Sequence, residues 1–174
     1  TNFDAVEENF TDEQAKLESS RCLNCKNPRC VSGCPVNINI PAFIHEVKEG
    51  NIDKAGEVIR QSSMLPSVCG RVCPQERQCE GKCVLGIKGD AVAIGALERY
   101  VGDKTKAAET EIKPSGKKVA IVGSGCAGIT AAADLRKAGH EVTVFEALHE
   151  LGGVLRYGIP PFRLPRVVLD RELD

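Results

Sequence analysis

The sequence predicts a multi-domain chain in which an all-α domain is followed by the start of an α/β domain. Eight of the nine cysteines lie before residue 84, and the remaining one, Cys126, stands apart. The first part of the chain shows helical periodicity, whereas the last part alternates strand, turn, helix and strand. A polar segment rich in Lys and Thr separates the two parts. The predicted boundaries are therefore residues 1–104, a linker at 105–117, and residues 118–174.

Four segments of the first domain carry helix signals. Thr11 and Gln14 form a capping box that opens DEQAKLESS. Pro41 suits the first turn of the segment AFIHEVKE, and Gly50 ends it. Asn51 is expected to cap IDKAGEVIRQS, and AVAIGALERYVG carries apolar residues at 92, 94, 97 and 101. The cysteines are expected in the loops between these helices.

Composition argues against several classes of protein. The net charge of -1 favours neither nucleic acid nor an anionic membrane as a partner. The longest weakly polar run, VAIVGSGCAGITAAA, is broken by glycines and is shorter than the roughly 20 apolar residues of a membrane span. Because no basic and then apolar secretory signal opens the sequence, we expect a cytoplasmic protein.

Two groups of cysteines dominate the first domain. One group has the spacing C-x2-C-x4-C-x3-C-P, and the other has the spacing C-x3-C-P-x4-C-x3-C. They comprise Cys22, Cys25, Cys30 and Cys34, followed by Cys69, Cys73, Cys79 and Cys83.

The spacing of these cysteines favours iron-sulfur clusters over two other uses of thiols. Disulfides are a poor interpretation because the sequence shows no export signal. Structural zinc prefers separated pairs of cysteines, and these closely spaced groups fit that pattern less well. A non-redox zinc-binding interaction module is kept as the alternative. Clustered cysteines that end in Cys-Pro are typical of 4Fe-4S ligation, and two such groups predict two clusters.

A glycine-rich turn opens the second domain, between the predicted strand KKVAIVG and a helix of small residues. Gly123 permits a tight turn, Gly125 lets the backbone approach a pyrophosphate, and Gly128 lets the helix pack closely on the strand. Glu146 ends the next strand, 18 residues after Gly128, where an acid accepts hydrogen bonds from ribose hydroxyls. The pattern predicts a dinucleotide site, and the acid favours FAD or NAD over NADP.

Together these motifs resemble a known family, the small (beta) subunit of NADPH-dependent glutamate synthase. The motifs that carry the resemblance are RCLNCKNPRCVSGCPV, VCGRVCPQERQCEGKC, IGALERYVGD, VAIVGSGCAGITAA and LGGVLRYGIPPFRLP. The chain is similar to the N-terminal portion of that subunit. The same module occurs in dihydropyrimidine dehydrogenase and in the large subunit of ferredoxin:NADP oxidoreductase. The resemblance implies an α-helical ferredoxin domain with two 4Fe-4S clusters, followed by an FAD domain into which an NADPH domain is inserted.

The resemblance also implies a function in electron transfer. Electrons would pass from NADPH to FAD, then to the clusters, and then to a large glutamate synthase-like subunit or another acceptor subunit. A related ferredoxin:NADP or pyrimidine-reducing oxidoreductase is the nearest alternative. No catalytic acid or base can be named within these residues, and the nicotinamide site is expected outside them. The fragment alone is therefore expected to be inactive.

The cluster ligands are implied residue by residue. The first cluster would be held by Cys22, Cys25, Cys30 and Cys83, and the second by Cys34, Cys73, Cys79 and Glu98. Cys69 would not be a ligand. If Cys69 were the ligand instead, replacing it would remove iron, whereas replacing Glu98 would not. A carboxylate ligand donates more electron density than an amide, so a low reduction potential is expected for the second cluster.

Further residues of the second domain are expected at the flavin site. Gly152 and Gly153 resemble the second flavin-phosphate glycine pair of the family, and Arg163 resembles a residue near the flavin. Cys126 and Ala127 lie between the second and third glycines of the G-x-G-x-x-G motif, at the start of the nucleotide-binding helix.

Overall fold

The chain divides into two compact units. A computed structural model describes residue 2, residues 4–107 and residues 111–174, so part of the predicted linker, residues 108–110, lies outside the described residues. Residues 7–107 form one unit. The other contains, among the described residues, 2, 4–6 and 111–174, and within it the Val6 backbone N–H donates to the Phe162 carbonyl at 3.2 Å. Within the described ranges, no helix combines the length and apolar character needed to cross a membrane.

The first unit is helical. Its α-helices are α1 (Asp12–Ser20), α2 (Arg29–Gly33), α3 (Ile40–Lys48), α4 (Ile52–Arg60), α5 (Pro66–Val72) and α6 (Ile94–Lys104). Short 3-10 turns cover Gln75–Arg77, Glu80–Lys82 and Val84–Ile87. The four predicted helical segments correspond to α1, α3, α4 and α6. The expectation that all cysteines lie between helices was wrong, because Cys30 lies within α2 and Cys69 within α5.

The helix starts follow the sequence signals with one exception. The capping box at α1 is confirmed, since the Gln14 N–H donates to Thr11 Oγ1 at 3.2 Å and the Thr11 N–H donates to Gln14 Oε1 at 2.9 Å. Asn51 precedes α4 as predicted, but its side chain makes no capping bond. Its amide instead donates to Glu46 Oε2 at 2.9 Å, which ties the end of α3 to the start of α4.

The core of the first unit lies between α1, α3, α4 and α6. Its largest fully buried apolar side chains are Ile40, Phe43, Ile44, Ile59, Leu97 and Val101. Burial of each such side chain contributes roughly 1.5–3 kcal/mol of transfer free energy. α5 packs on α6 so closely that a Cβ atom at Gly70 would lie 2.4 Å from the backbone nitrogen of Arg99. The helices that flank the cysteine groups are therefore closely packed against one another and against the apolar core.

The second unit contains the predicted strand-helix-strand segment. Strands β1 (Lys118–Val122) and β2 (Glu141–Phe145) pair in parallel, with Val119 opposite Val142. Helix α7 (Cys126–Lys137) connects them, and the short α8 (Val154–Tyr157) and α9 (Arg166–Leu173) follow. This is the start of a Rossmann-like fold. The two strands leave apolar side chains open to solvent, with Val122 90% and Phe145 56% exposed.

Candidate metal centre and nucleotide loop

Four thiols from both cysteine groups face one pocket of the first unit. Cys22, Cys25 and Cys30 of the first group line it together with Cys83 of the second group. The pocket holds about 420 Å³ of empty space, part of it open to solvent. Its other walls are mostly apolar and include Ile40, Pro41, Ile44, Leu85, Val92 and Ile94. This donor set is the one expected for the first cluster.

Electrostatic interactions among the thiols give the same grouping. The pKa of the Cys30 thiol is raised to about 11, mainly by burial, and the charges of Cys22 and Cys83 contribute in the same direction. The pKa of Cys22 is also raised, mainly by burial, with additional contributions from Cys25 and Cys83. These effects link Cys30 with Cys22 and Cys83, and Cys22 with Cys25, which are the same four thiols that line the pocket.

A second set of donors lies around Cys79. Burial raises the pKa of this thiol to about 12, and the charges of Glu80, Glu98 and Cys34 act in the same direction. The pKa of Cys73 is lowered, because the Cys69 thiol donates a hydrogen bond to its sulfur. Burial and the charges of Glu98, Cys79 and Cys34 oppose that shift. The structure therefore brings Cys34, Cys73, Cys79 and Glu98 together.

Glu98 differs from the other members of the second set because it lies within a long helix and carries a carboxylate instead of a thiol. It lies on α6, and only 6% of it is exposed. A buried carboxylate is costly unless it binds a cation or accepts hydrogen bonds. Cys69 lies beside the same set, because it contacts Cys73, and it also accepts a hydrogen bond from the Ser63 hydroxyl, at 3.7 Å between Oγ and Sγ.

Local turns bring the two cysteine groups together. Asn24, between Cys22 and Cys25, has a φ of 46°, in the left-handed region that Asn tolerates. A Cβ atom at Gly33 would lie 2.7 Å from the Gln78 carbonyl oxygen, so only glycine permits this approach. The chain next to Cys34 therefore touches the chain next to Cys79.

The thiols are not arranged around a single point. Among the residues that the structure describes, no group of three or more His, Cys, Asp or Glu side chains has the geometry to hold one metal ion. A four-iron cluster takes its protein ligands on separate iron atoms, so its donors stand farther apart than those of a single ion. Protons must leave thiols with raised pKa values when iron binds, so binding is disfavoured at low pH.

The glycine-rich turn of the second unit has the predicted geometry. Gly123 has a φ of 95°, which favours glycine. A Cβ atom at Gly128 would lie 2.0 Å from the Gly123 carbonyl oxygen, so α7 packs on the turn closely enough to require glycine. Gly125 is the N-cap residue of α7 and, being glycine, provides no side-chain cap. The free backbone N–H groups at a helix start of this kind can donate hydrogen bonds to an anion such as a pyrophosphate.

Glu146 lies directly beside this turn. Its Oε2 atom accepts hydrogen bonds from the Ser124 hydroxyl and from the Ser124 N–H, the latter at 2.8 Å. Its Oε1 atom accepts from the Leu148 N–H at 2.9 Å. These bonds, led by that from the Ser124 hydroxyl, lower the pKa of Glu146 to about 2. The carboxylate is ionised at neutral pH and fixed in orientation, as a ribose-binding acid requires.

The remaining predicted residues lie at different distances from the turn. A Cβ atom at Gly153 would meet the Gly125 Cα at 2.9 Å, so the two glycine motifs are in contact. Gly152 donates to the Ser124 hydroxyl at 3.1 Å. Cys126 and Ala127 begin α7, and the Cys126 thiol is exposed. Arg163 lies between α8 and α9, where its backbone N–H donates to the Pro160 carbonyl at 2.9 Å.

Comparison with known protein families supports both halves of this description. Residues 1–110 match the family described as dihydropyrimidine dehydrogenase domain II, 4Fe-4S cluster. The chain belongs to this family. Residues 121–171 match a second family model, an NAD(P)-binding Rossmann-like domain.

Curated relatives of the chain are named as oxidoreductases or as subunits of such enzymes. The glutamate synthase [NADPH] small chain of Escherichia coli K12 is 44% identical over 99% of this chain and 38% of its own length. The putative oxidoreductase UacF of the same organism is 42% identical over the full chain and 28% of its own length. The NAD-dependent dihydropyrimidine dehydrogenase subunit PreT, also of Escherichia coli K12, is 40% identical over 94% of this chain and 41% of its own length. The chain therefore spans less than half the length of these relatives.

Two residues of the chain have structural roles that sequence reasoning missed. Ser124 is fully buried within the glycine turn and bonds to both Glu146 and Gly152. Its partners lie 22 and 28 residues away, so no local spacing reveals them. Glu80 lies between Cys79 and Cys83, and its carboxylate accepts a hydrogen bond from Gly95 on α6. An acid between two cysteines is the only sequence signal that points to it.

Proposed function

We propose that the chain is the cluster-bearing and flavin-binding part of a cytoplasmic, NADPH-dependent, electron-transferring oxidoreductase. The observation that carries the proposal is the grouping of eight donors into two sets, each drawn from both cysteine groups. When bound, FAD would supply hydride acceptance from NADPH, and two 4Fe-4S clusters would supply single-electron transfer. Reducing cytoplasm keeps such thiols available for iron.

The residues of the first set would hold one cluster in an apolar pocket. Cys22, Cys25, Cys30 and Cys83 would supply the thiolates, and the apolar walls would limit the access of water. Solvent exposure and nearby charge set the potential of an iron-sulfur cluster. Arg29 and Lys82 also line this pocket, and their positive charges would favour the reduced form.

The second set would have the opposite electrostatic character. Cys34, Cys73, Cys79 and Glu98 would be its ligands, with Glu80 as a further acid nearby. Negative charge next to a cluster disfavours the additional electron of the reduced state. We therefore expect a lower reduction potential for the second cluster than for the first.

The glycine turn would hold the FAD pyrophosphate, and Glu146 would accept hydrogen bonds from its ribose. Support comes from the glycine at the N-cap of α7 and from the fixed, ionised state of the Glu146 carboxylate. Gly152 and Gly153 would border the phosphates, because Gly153 touches Gly125. The Rossmann-like family description fits any dinucleotide, and the acid disfavours a 2′-phosphate at this site.

The final acceptor is proposed from the relatives. Several are named glutamate synthase [NADPH] small chain, so we propose a large glutamate synthase-like subunit as the partner that accepts the electrons. A pyrimidine-reducing partner is the second candidate, because PreT is named as a subunit of a dihydropyrimidine dehydrogenase. The domains that bind NADPH and contact a partner would lie outside these residues.

Iron analysis of anaerobically purified protein tests the proposal. About eight iron atoms and about eight acid-labile sulfides per chain are expected, with the EPR signals of reduced 4Fe-4S clusters. Cys25→Ser and Cys73→Ser should each lower iron to about four atoms per chain by removing different clusters. Cys126→Ser is the matched control and should retain both. Stoichiometric zinc without sulfide would instead support the non-redox interaction module and refute electron transfer.

A further inference from the structure

Glu80 links the second cysteine group to a helix that is distant in sequence. It lies in the 3-10 turn Glu80–Lys82, with Cys79 immediately before it and Cys83 immediately after the turn. Its Oε1 atom accepts a hydrogen bond from the Gly95 N–H at 2.9 Å, and the Ile94 N–H also donates to its carboxylate. These are the first two residues of α6. The side chain is therefore a helix cap supplied from another segment.

The start of α6 depends on caps of this kind. Ala93, its N-cap residue, provides no side-chain cap, and its own N–H donates to Glu18 Oε1 at 2.8 Å. Two carboxylates from two other segments thus accept hydrogen bonds from N–H groups at this helix end, where the Ile94 N–H also donates to the Val92 carbonyl at 2.8 Å. A negative charge at a helix N-terminus is favourable, and loss of a cap destabilises the helix end. Glu18 comes from α1, and Glu80 comes from the cysteine loop itself.

The position of α6 matters because the helix carries Glu98. Glu98 lies one turn after the capped residues and close to Cys79, Cys73 and Cys34. Cys79 belongs to the same short loop as Glu80, so one side chain fixes the distance between a thiol donor and the helix that bears the carboxylate donor. Gln75 closes the same region from the other side, since its side chain packs against Gly95.

We infer that Glu80 is a positioning residue, which caps α6 and thereby holds Glu98 in register with the cysteines of the second set. The inference rests on the proposed function, because it presupposes a cluster at that set. Glu80 itself is not a ligand in this scheme. The required property is a hydrogen-bond acceptor at this position, and the negative charge has a separate effect on the potential of the cluster.

Three variants of the anaerobically purified holoprotein separate these roles. Glu80→Ala removes the acceptor and the charge, Glu80→Gln keeps an acceptor oxygen without the charge, and Glu76→Ala removes a neighbouring exposed acid as the matched control. The readouts are iron and sulfide per chain, the EPR spectrum of the reduced protein and the potential of each cluster. Circular dichroism reports whether each variant has folded.

In Glu80→Ala we expect iron to fall from about eight to about four atoms per chain, with the EPR signal of the first cluster retained. Glu80→Gln should keep about eight, but with a raised potential for the second cluster because a negative charge is lost. Glu76→Ala should match the unaltered protein in iron content and EPR spectrum.

Three results would overturn the positioning role. They are retention of both clusters with an unchanged spectrum in Glu80→Ala, equal loss of iron in Glu80→Gln and Glu80→Ala, or loss of the first cluster along with the second. Failure of the proposed function is distinguishable, because it would appear as absent iron-sulfur clusters in the unaltered protein.

Discussion

At the scale of the residue, Glu98 is the donor with the least ordinary chemistry. Its carboxylate is buried on α6 beside three thiols, whereas Cys69 is linked to that set through a hydrogen bond to Cys73. We expect Glu98→Ala to lower iron to about half, because one donor of the second cluster is lost. Cys69→Ser should retain about eight iron atoms per chain. Iron analysis with EPR measures both, and the reverse order would make Cys69 the ligand.

The Ser124–Glu146 contact makes the second unit sensitive to acid. The pKa of Glu146 is about 2 in the folded chain, below its ordinary value of about 4.3. Its contribution to stability is therefore complete above about pH 4.3 and is lost as the pH falls towards 2. Ser124→Ala removes the largest cause of the shift, so the pKa of Glu146 should rise and the pH dependence should weaken.

Titration of the Glu146 side chain by NMR measures this effect. Ser115→Ala is a suitable control, because Ser115 is an exposed serine of the same unit that bonds to His140 and not to Glu146. An unchanged Glu146 titration in Ser124→Ala would mean that the hydroxyl does not hold the carboxylate.

At the scale of the element, the contact between α5 and α6 depends on small residues. A Cβ atom at Gly70 would lie 2.4 Å from the Arg99 backbone nitrogen, and backbone cannot swing aside. We expect Gly70→Ala to destabilise the protein by about 1–3 kcal/mol, the usual cost of overpacking. Gly89→Ala is the matched control, because a Cβ atom there meets nothing within 4 Å. Chemical denaturation of both variants checks the difference, and equal stabilities would contradict it.

The elements that the sequence predicts are those with local signals. α1 has a capping box, α3 has an early proline and α6 has apolar residues at helical spacing, and all three are present. α2 is only five residues long and has no apolar periodicity, so nothing local predicts it. α5 begins with Pro66, a usable start signal, but its packing against α6 is a tertiary property.

The candidate sites divide in the same way. The glycine turn and Glu146 follow from spacing within one strand-helix-strand unit. The sharing of Cys83 with Cys22 and Cys30 joins segments more than fifty positions apart, so spacing alone does not give it. That grouping came from the family resemblance. The caps of α6 by Glu18 and Glu80 are likewise long-range contacts that only the folded structure reveals.

At the scale of the whole molecule, the first unit has two sources of stability. Of the proposed cluster ligands among the described residues, Cys79 is the one cysteine buried in the apolar core of this unit, and Cys22, Cys30, Cys34 and Cys83 pack against that core while partly exposed. Removal of iron with a chelator should therefore leave most of the helical structure in place but loosen the cysteine segments, residues 21–36 and 73–87. Limited proteolysis should cut these segments faster in the iron-free protein than in the holoprotein. Equal cleavage rates would show that the clusters do not support these loops.

The sheet of the second unit has a practical consequence for handling the purified chain. Parallel strands are normally covered on both faces, yet Val122 and Phe145 are largely open to water. Exposed apolar side chains, together with unpaired strand edges, favour association with other copies of the same chain. Sedimentation velocity should reveal self-association that grows with protein concentration and weakens in Val122→Ser. A chain that stays monomeric at high concentration would show that these strands do not mediate self-association.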